Sequence, residues 1–487
     1  MTSVLADLAR LVPGAEVQGD ATVTVVDVTH DSRKVIPGTL FCCVRGGTTD
    51  GHQYAGTAVA AGAVALLVDH AVDDEDAART PQLVAPDTRR AMALVAARVH
   101  GDPSSALTVV GVTGTNGKTT TTALLARAAA FLGVPSEALG TLSGARTTPE
   151  ATDLQRWFAE TRDSGVQLAA IEVSSHALDQ HRVDATSFAV AVFTNLTVDH
   201  LDYHETMEAY FEAKALLFTS EFTDCAVVNV DDLWGRRLAE RLGSLPAMTV
   251  RPVSLVDAVD LVLRPDGSEF LWRGERVGLS LAGEFNVANA LAAAEVLDHL
   301  GHARAAIAEA VSQPVVVPGR YELVSTGLPF AVVVDFAHTP DGLEQVLRAA
   351  SATVAPGGKV RVVFGCGGDR DTAKRPIMGA VAARLADHVV LTSDNSRSER
   401  TETILAAIEL GYQAERDGRA VKLDIVPDRR EAIGLAIAAA RPGDVVMIAG
   451  KGHETTLTIG DVVQSFDDRD VARAALGEFR HAKGGGR

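Results

Sequence analysis

No stretch of this sequence stays apolar for the roughly 18 residues that a helix needs to cross a bilayer. A membrane span is therefore not expected. Cysteine is scarce, with four in 487 residues. Cys42 and Cys43 are adjacent and badly placed to bridge each other, while Cys225 and Cys366 stand far away. No cysteine spacing suits a metal site, so reduced, mostly buried thiols are expected. Positive charge is also in short supply. With 45 Lys and Arg against 63 Asp and Glu, the formal net charge is -18, which argues against a nucleic-acid partner. Local loops can still hold small anions. The opening "MTSVLADLARLVPGAEV" carries Asp7 and Arg10 inside its apolar pattern and lacks the basic start of a secretory signal. A cytoplasmic protein is expected. Internal repeats are absent, and "AKGGGR" at 482–487 reads as a frayed tail.

What is present fits a folded chain of about three domains at ~150 residues each. Residues 1–103 form a first block with β-like runs at 23–28, 40–44 and 65–69, and "GDPSS" at 101–105 reads as a linker. A second block alternates strands and helices, with strands at 107–113, 167–173, 188–195 and 226–230. A third repeats the pattern from about 319, with strands at 330–336, 359–365, 388–393, 422–426 and 444–449. Nearly continuous apolar runs are expected of parallel strands buried on both faces. The blocks therefore predict α/β domains with mainly parallel sheets. Strand after strand ends in polar residues, and ligands of open parallel sheets bind at the carboxyl ends of strands. Such edges can line a cleft between domains.

The densest cluster is Thr113-Gly114-Thr115-Asn116-Gly117-Lys118-Thr119, between an apolar strand and a helix that ends at Gly133. Consecutive backbone N–H groups at a helix N-terminus favour phosphate. Lys118 would neutralise its oxygens and the Thr119 hydroxyl would bind Mg²⁺. The strict phosphate-loop pattern fails, because Val112 takes its first glycine position. Glu172 closes a buried strand and can either cap the next turn or hold Mg²⁺. His200 and His204 are four apart and could share a helix face; zinc is the lesser reading and a surface position the plain one for His204. Lys214 lies in an apolar helical segment. Its plain reading is a snorkelling lysine with its head in water. Its sharper reading is a lysine that takes up CO₂ and becomes an anionic carbamate ligand. In the third block, Arg370, Arg397 and Glu454 lie on strand-end loops, where a guanidinium fork and a carboxylate suit a zwitterionic amino acid.

These stretches, joined by E-V-S-S-H-A-L-x-Q-H-R (172–182), N-L-T-x-D-H-L-D-Y-H (195–204), A-K-x-x-L-F (213–218), G-x-F-N-x-x-N-A-L-A-A (283–293), D-F-A-H-T-P (335–340), F-G-C-G-G-D-R-D (364–371) and G-K-G-H-E (450–454), resemble the Mur ligases. More narrowly they resemble the UDP-N-acetylmuramoyl-tripeptide synthetase branch. The resemblance implies a small N-terminal α/β uridine-nucleotide domain (1–103), a central P-loop-type parallel-sheet ATPase domain (104–318) and a C-terminal Rossmann-like domain (319–487) that takes the amino acid. It implies ATP and Mg²⁺, and a reaction in which the D-Glu carboxylate of UDP-MurNAc-L-Ala-D-Glu is phosphorylated and then captured by the amine of a diamino acid. Lys118, His200 and Lys214 would be catalytic. Gly114, Thr115, Asn116, Gly117, Lys118, Thr119, Thr120, Asn289 and Arg320 would bind ATP. Thr119, Glu172, His200 and carbamylated Lys214 would hold the metal. Ser32, Gly47, Thr48, Thr49, Thr147, Thr148, Ser174, Gln180 and Arg182 would bind the muramoyl dipeptide. Arg370, Asp394, Asn395, Ser396, Arg397, Gly450 and Glu454 would bind the amino acid.

Two departures stand out. Diaminopimelate ligases of the family carry D-N-P-R, whereas this chain has Asp394-Asn395-Ser396-Arg397. The arginine is retained, so meso-2,6-diaminopimelate is the expected substrate, with L-lysine or another amino acid as alternative. The serine replaces a residue that would stiffen the loop. Arg146 stands where the family has Asn before Thr147-Thr148. Three rivals are a folate polyglutamylating ligase, whose loop ends Gly-Lys-Gly-Ser, a nucleotide-driven switch or transport ATPase, and a non-catalytic binder of the nucleotide precursor. A monomer is expected.

Overall fold

The computed structural model describes residues 2–47, 49–72, 76–144, 146–325, 327–416 and 421–484. They form two compact units. One runs through Gly114, then takes in Ala129–Thr194 and Glu208–Pro252; the other comprises Thr115–Ala128, Asn195–Met207 and the chain from Val253 onward.

In the first unit, an N-terminal sheet has the order Glu16–Gln18, Gln82–Val84, Ala63–Val68, Thr39–Cys42, Asp27–Thr29. Its neighbours are parallel except the first pair. The run expected at 23–28 changes partner at Val26: Thr24–Val25 pairs with Ser3–Val4 in a separate ribbon, and Asp27–Thr29 joins the sheet. Helix Thr88–Val99 begins at Asp87, whose carboxylate accepts the Arg89 and Arg90 amides. Its Ala91, Met92, Val95, Ala96 and Val99 recur at helical spacing and share one core with Leu40, Leu67 and Leu83. Residues 101–105, expected as a linker, are packed against the chain. Pro103–Ala106 is a 3₁₀ turn with Pro103 and Ser104 buried, and Ser104 Oγ accepts the Ser187 amide at 3.2 Å.

The second sheet of this unit carries the strand that leads into the phosphate loop. Its order is Thr249–Val253, Cys225–Asn229, Val190–Phe193, Thr108–Thr113, Leu168–Glu172, Ser136–Leu139. The four strands expected from apolar runs are its inner members, paired in parallel. Val110, Val112, Ala170, Ile171, Val192 and Phe193 are fully buried, so neither face tolerates polar alternation. The edge strands Ser136–Leu139 and Thr249–Val253 include polar residues and carry no such signal. A β-carbon at Gly111 would lie 2.7 Å from the Phe188 ring, which accounts for glycine in a central strand.

The second unit opens with an antiparallel sheet, Ala258–Arg264, Gly267–Trp272 and Glu275–Leu279, with an irregularity between Val259 and Val262. It lies outside the strands expected from apolar runs. The C-terminal sheet has the order Glu322–Leu323, Ala331–Asp335, Val445–Ala449, Val360–Phe364, His388–Leu391, Lys422–Ile425. Only the first pair is antiparallel. Successive residues alternate between faces. Val333, Val362, Phe364 and Met447 join the core with helices Pro340–Thr353, Lys374–Leu385 and Thr401–Glu415. Val332, Val363, Val446 and Ile448 join the other core, with helices Arg429–Ala438 and Asp468–Gly484. The last helix includes 482–484 of the expected frayed tail; 485–487 lie outside the described residues. Among the described residues no helix is long and apolar enough to cross a membrane. All four cysteines are buried and free, as expected.

One fully buried ion pair anchors that last helix. Arg429 Nε and Nη2 donate to Asp468 Oδ1 and Oδ2 at 2.8 and 2.7 Å, and the guanidinium also donates to the Ser393 and Ala449 carbonyls. Removing one partner strands a buried charge. Asp468→Ala is expected to lose about 3–5 kcal/mol, measured by denaturant unfolding, and Asp468→Leu combined with Arg429→Met should recover much of the loss.

Candidate functional site

The phosphate loop sits where strand Thr108–Thr113 gives way to helix Lys118–Phe131. Gly117 has a φ of +90°, and a β-carbon there would lie 2.4 Å from Asn289 Oδ1. The loop is fixed from the side. Thr115 and Asn116 amides donate to the Asn195 carbonyl and Oδ1 at 3.0 and 2.9 Å, and the Thr197 amide donates to Thr115 Oγ1 at 3.0 Å. Lys118 Nζ donates to its own loop at the Thr115 carbonyl, 2.9 Å away. Thr119 and Thr120 are buried on the first helical turn. Arg320 lies over the Phe336 ring at 4.5 Å and its Nη2 is 3.4 Å from Thr119 Oγ1. Thr115 to Thr120, Asn289 and Arg320 are thus grouped in one unit. Asn195 and Asp341, which accepts from Asn116 Nδ2 at 3.2 Å, join them without having been expected. For Asn195 the signal was its place in N-L-T at a strand end.

His200 belongs to the same unit, but not to a helix face shared with His204. His200 has a φ of +53° and caps the short helix Leu201–His204 from outside, while His204 is buried rather than on the surface. His200 Nε2 is 3.5 Å from Asp199 Oδ2. Burial would raise the Asp199 carboxyl, but His200, His338 and Lys118 together hold it below its ordinary range. Burial pushes the His338 imidazole down, with Lys374 adding to the effect.

Lys214 and Glu172 lie in the other unit. The head of Lys214 is not in water: the residue is buried, Nζ donates to the Gly114 carbonyl at 2.9 Å and stands 4.5 Å above the Tyr210 ring. Its snorkelling reading fails because the apolar side of helix Met207–Ala215 turns it onto the loop strand. Glu172 is buried and caps a turn, that of the neighbouring strand: its Oε1 and Oε2 accept the Thr141 amide and hydroxyl at 2.8 and 3.1 Å. Gly140 is glycine because a β-carbon would lie 2.1 Å from Glu172 Oε1.

Of the residues implied for the muramoyl dipeptide, Thr147, Thr148, Ser174, Gln180 and Arg182 meet beside Glu172. Thr141 and Thr147 hydroxyls are 3.1 Å apart; Thr148 Oγ1 donates to the Glu172 carbonyl and accepts the Ser174 amide. Arg182 donates to the Thr148 carbonyl and to Gln180 Oε1 at 3.1 and 2.7 Å. Ser32 starts a 3₁₀ turn whose Lys34 pairs with Asp153 at 2.9 Å, on the helix that follows Thr148. Gly47 and Thr49 sit on an exposed loop closed by the Arg45–Asp50 bridge; Thr48 lies outside the described residues. Glu150 and Thr141 are the members missed from sequence. Glu150 accepts from Arg89 and Arg182 at 3.1 Å each and from Arg146.

In the C-terminal sheet, the loops after His388–Leu391 and Val445–Ala449 come together. Asn395 Nδ2 donates to Glu454 Oε2, and Asn395 Oδ1 accepts the Thr458 amide, each at 2.9 Å. Fully buried Lys451, not expected, reaches Glu454 Oε2 at 2.9 Å and Asp394 Oδ1 at 3.9 Å. Gly450 has a φ of +115°, and a β-carbon there would lie 2.9 Å from Asp394 Oδ2. Arg397 has a φ of +50° and donates to the Gly368 carbonyl at 2.6 Å, while Arg370 is exposed on the facing loop. Ser396 is fully buried, 2.7 Å from Thr401 Oγ1, and donates to the Asp394 carbonyl, contacts that a proline side chain could not make.

Three family models match consecutive stretches: Mur ligase family, catalytic domain over residues 24–100; Mur ligase middle domain over 112–297; Mur ligase, glutamate ligase domain over 319–452. The chain is 44% identical to the UDP-N-acetylmuramoyl-L-alanyl-D-glutamate--2,6-diaminopimelate ligase of Geobacillus thermodenitrificans, over 97% of this chain and 99% of that one. The chain belongs to the Mur ligase family. The ligase of the same name from Streptomyces coelicolor is also 44% identical, over 97% of this chain and 96% of that one. A solved structure of a ligase with that name superposes with a TM-score of 0.70 at 33% identity, covering 99% and 100% of the two chains. Folylpolyglutamate synthase of Mycobacterium tuberculosis, at 17% identity and a TM-score of 0.59 over 79% of this chain and 93% of that one, shares the fold.

Gly117 offers a test of the loop in this Mur ligase. Alanine there would enter left-handed backbone, at roughly 1–2 kcal/mol, and press on Asn289. Gly117→Ala is expected to abolish nucleotide binding, followed by calorimetry with ADP, while the far-ultraviolet circular dichroism stays that of the parent.

Proposed function

We propose that this Mur ligase is an ATP-dependent amide ligase that adds meso-2,6-diaminopimelate to the D-Glu of UDP-MurNAc-L-Ala-D-Glu. It acts as a cytoplasmic monomer in peptidoglycan precursor synthesis, and so in cell-wall formation, shape and division. The working division is a nucleotide-precursor domain at 1–103, an ATP domain at 104–318 and an amino-acid domain at 319–487. The observation that carries the amino-acid choice is the loop Asp394–Arg397, braced by Lys451 and Glu454, in a chain so similar in full length to diaminopimelate ligases.

A carboxylate is a poor acyl donor. Transfer of the γ-phosphoryl group of ATP onto the D-Glu carboxylate makes an acyl phosphate and ADP. The free amine of the diamino acid then attacks the acyl carbon, the amide forms and phosphate leaves. Phosphoryl transfer is mostly positioning and charge neutralisation, which fall to Lys118 and the loop amides. Arg182, Thr147, Thr148, Ser174 and Gln180 orient the dipeptide, with Ser32, Gly47, Thr48 and Thr49 on its nucleotide end. Arg397 and Arg370 hold the distal carboxylate of the amino acid, and Glu454 its ammonium. Hydroxyl and carboxylate oxygens are the hard donors that Mg²⁺ takes, and each Glu172 oxygen has a lone pair left after the Thr141 contacts. Mg²⁺ would be held by Thr119, Glu172, His200 and Lys214 as a carbamate, and would neutralise phosphate oxygens. The carbamate forms when the neutral Lys214 amine adds to CO₂ and loses a proton.

The switch ATPase reading leaves Arg397, Arg370 and Glu454 without a role. The folate ligase reading shares the fold, but its Gly-Lys-Gly-Ser loop ending differs from Gly117-Lys118-Thr119-Thr120 here. The deciding experiment supplies ATP, Mg²⁺, UDP-MurNAc-L-Ala-D-Glu and a panel of diamino acids, and weighs the products. ADP release without an amide product would end the proposal. Arg397→Ala is expected to lose about 1.5–3 kcal/mol, roughly ten- to a hundredfold in kcat/KM, for diaminopimelate. Lysine should lose far less, and equal losses would show that Arg397 does not read the distal carboxylate. Lys214→Ala is expected to abolish ligation; full turnover would rule out the carbamate.

A further inference from the structure

Glu150 stands at the crossing of two parts of the precursor site that are far apart in sequence. It caps nothing: no side-chain cap bond leaves it, although it precedes helix Ala151–Asp163. Its carboxylate is buried and meets three guanidinium groups. Oε1 pairs with Arg182 Nη2 at 3.1 Å and with Arg146, and Oε2 accepts from Arg89 Nη1 at 3.1 Å. Arg182 also donates to the Thr148 carbonyl at 3.1 Å. Arg89 also donates to the Arg45 carbonyl at 3.3 Å, at the base of the loop that carries Gly47 and Thr49. One carboxylate therefore joins the loop expected at the nucleotide end to the arginine expected at the peptide end.

The charges explain why this residue is an acid. Three guanidinium groups face one buried carboxylate. A buried carboxylate is tolerated when paired and hydrogen-bonded, and the three arginines supply that pairing. Burial would raise the Glu150 carboxyl, but Arg182, Arg89 and Arg146 outweigh it and hold it below its ordinary range. A charge-assisted contact holds a guanidinium more firmly than a neutral acceptor can.

We infer that Glu150 is a positioning residue for the uridine-nucleotide muramoyl dipeptide: it sets Arg182 and, through Arg89, the backbone at Arg45 in register for one long anionic substrate. This rests on the reading of Arg182 as a dipeptide contact. Glu150→Gln keeps the shape and removes the charge. The expected result is a KM for UDP-MurNAc-L-Ala-D-Glu raised about tenfold, with kcat changed by less than about threefold and the KM values for ATP and the diamino acid unchanged. A dipeptide KM equal to that of the parent overturns the inference. So does a common rise of all three KM values with a lower thermal midpoint, which is the mark of a purely structural acid. Should Glu150→Gln not fold, Arg89→Gln breaks the same link from the other end and is judged by the same criteria. Arg182→Gln is measured alongside: if it leaves the dipeptide KM unchanged, the reading of the site fails, whereas a raised KM there with none in Glu150→Gln defeats this inference alone.

Discussion

The buried amine of Lys214 constrains how the first unit ends its loop strand. A polar group left unpaired inside a protein costs free energy, so the chain must bring it partners. It does so with the Gly114 carbonyl at 2.9 Å and the Tyr210 ring at 4.5 Å. That requires strand Thr108–Thr113 to end with its next carbonyl turned toward helix Met207–Ala215, and the φ of +148° at Gly114 is open to glycine. The residue that starts the phosphate loop and the residue read as a carbamate are thereby tied in one contact.

The same rule recurs at several places near strand ends. Glu172 holds Thr141, Asp335 accepts the Tyr321 and Ala337 amides, Arg429 pairs with Asp468, and Lys451 pairs with Glu454. Open parallel sheets leave polar backbone at their carboxyl ends, and here the side chains that satisfy it are also those suited to ligands. A chain with a net charge of -18 still gathers Arg89, Arg146 and Arg182 about one carboxylate. Global charge acts through screened water, whereas a buried cluster acts at contact distance.

Legibility followed burial. The run expected at 359–365 is strand Val360–Phe364, and that at 444–449 is Val445–Ala449, because a strand covered on both faces must be apolar throughout. The edge strands Ser136–Leu139 and Thr249–Val253 have one free side and no such constraint. The antiparallel sheet from Ala258 was hidden by its partly exposed, irregular first strand. In the site, Lys118, Glu172 and Arg182 were visible because their motifs carry chemistry. Glu150 and Thr141 were not, since their partners Arg89, Arg182 and Glu172 come near only on folding; Lys451 stood inside G-K-G-H-E, but its approach to Asp394 also needs the fold.

By itself the sequence determined the alternation of strands and helices, the family and the residue types available for phosphate, metal and carboxylate. Those are properties of local periodicity and short motifs, which need no distant partner. Tertiary structure decided whether Lys214 faces water or the loop, whether His200 and His204 share a face, and what the Ser396 hydroxyl meets. Each of these depends on which groups, remote in the chain, end within about 3 Å of one another, and no spacing along a sequence contains that distance.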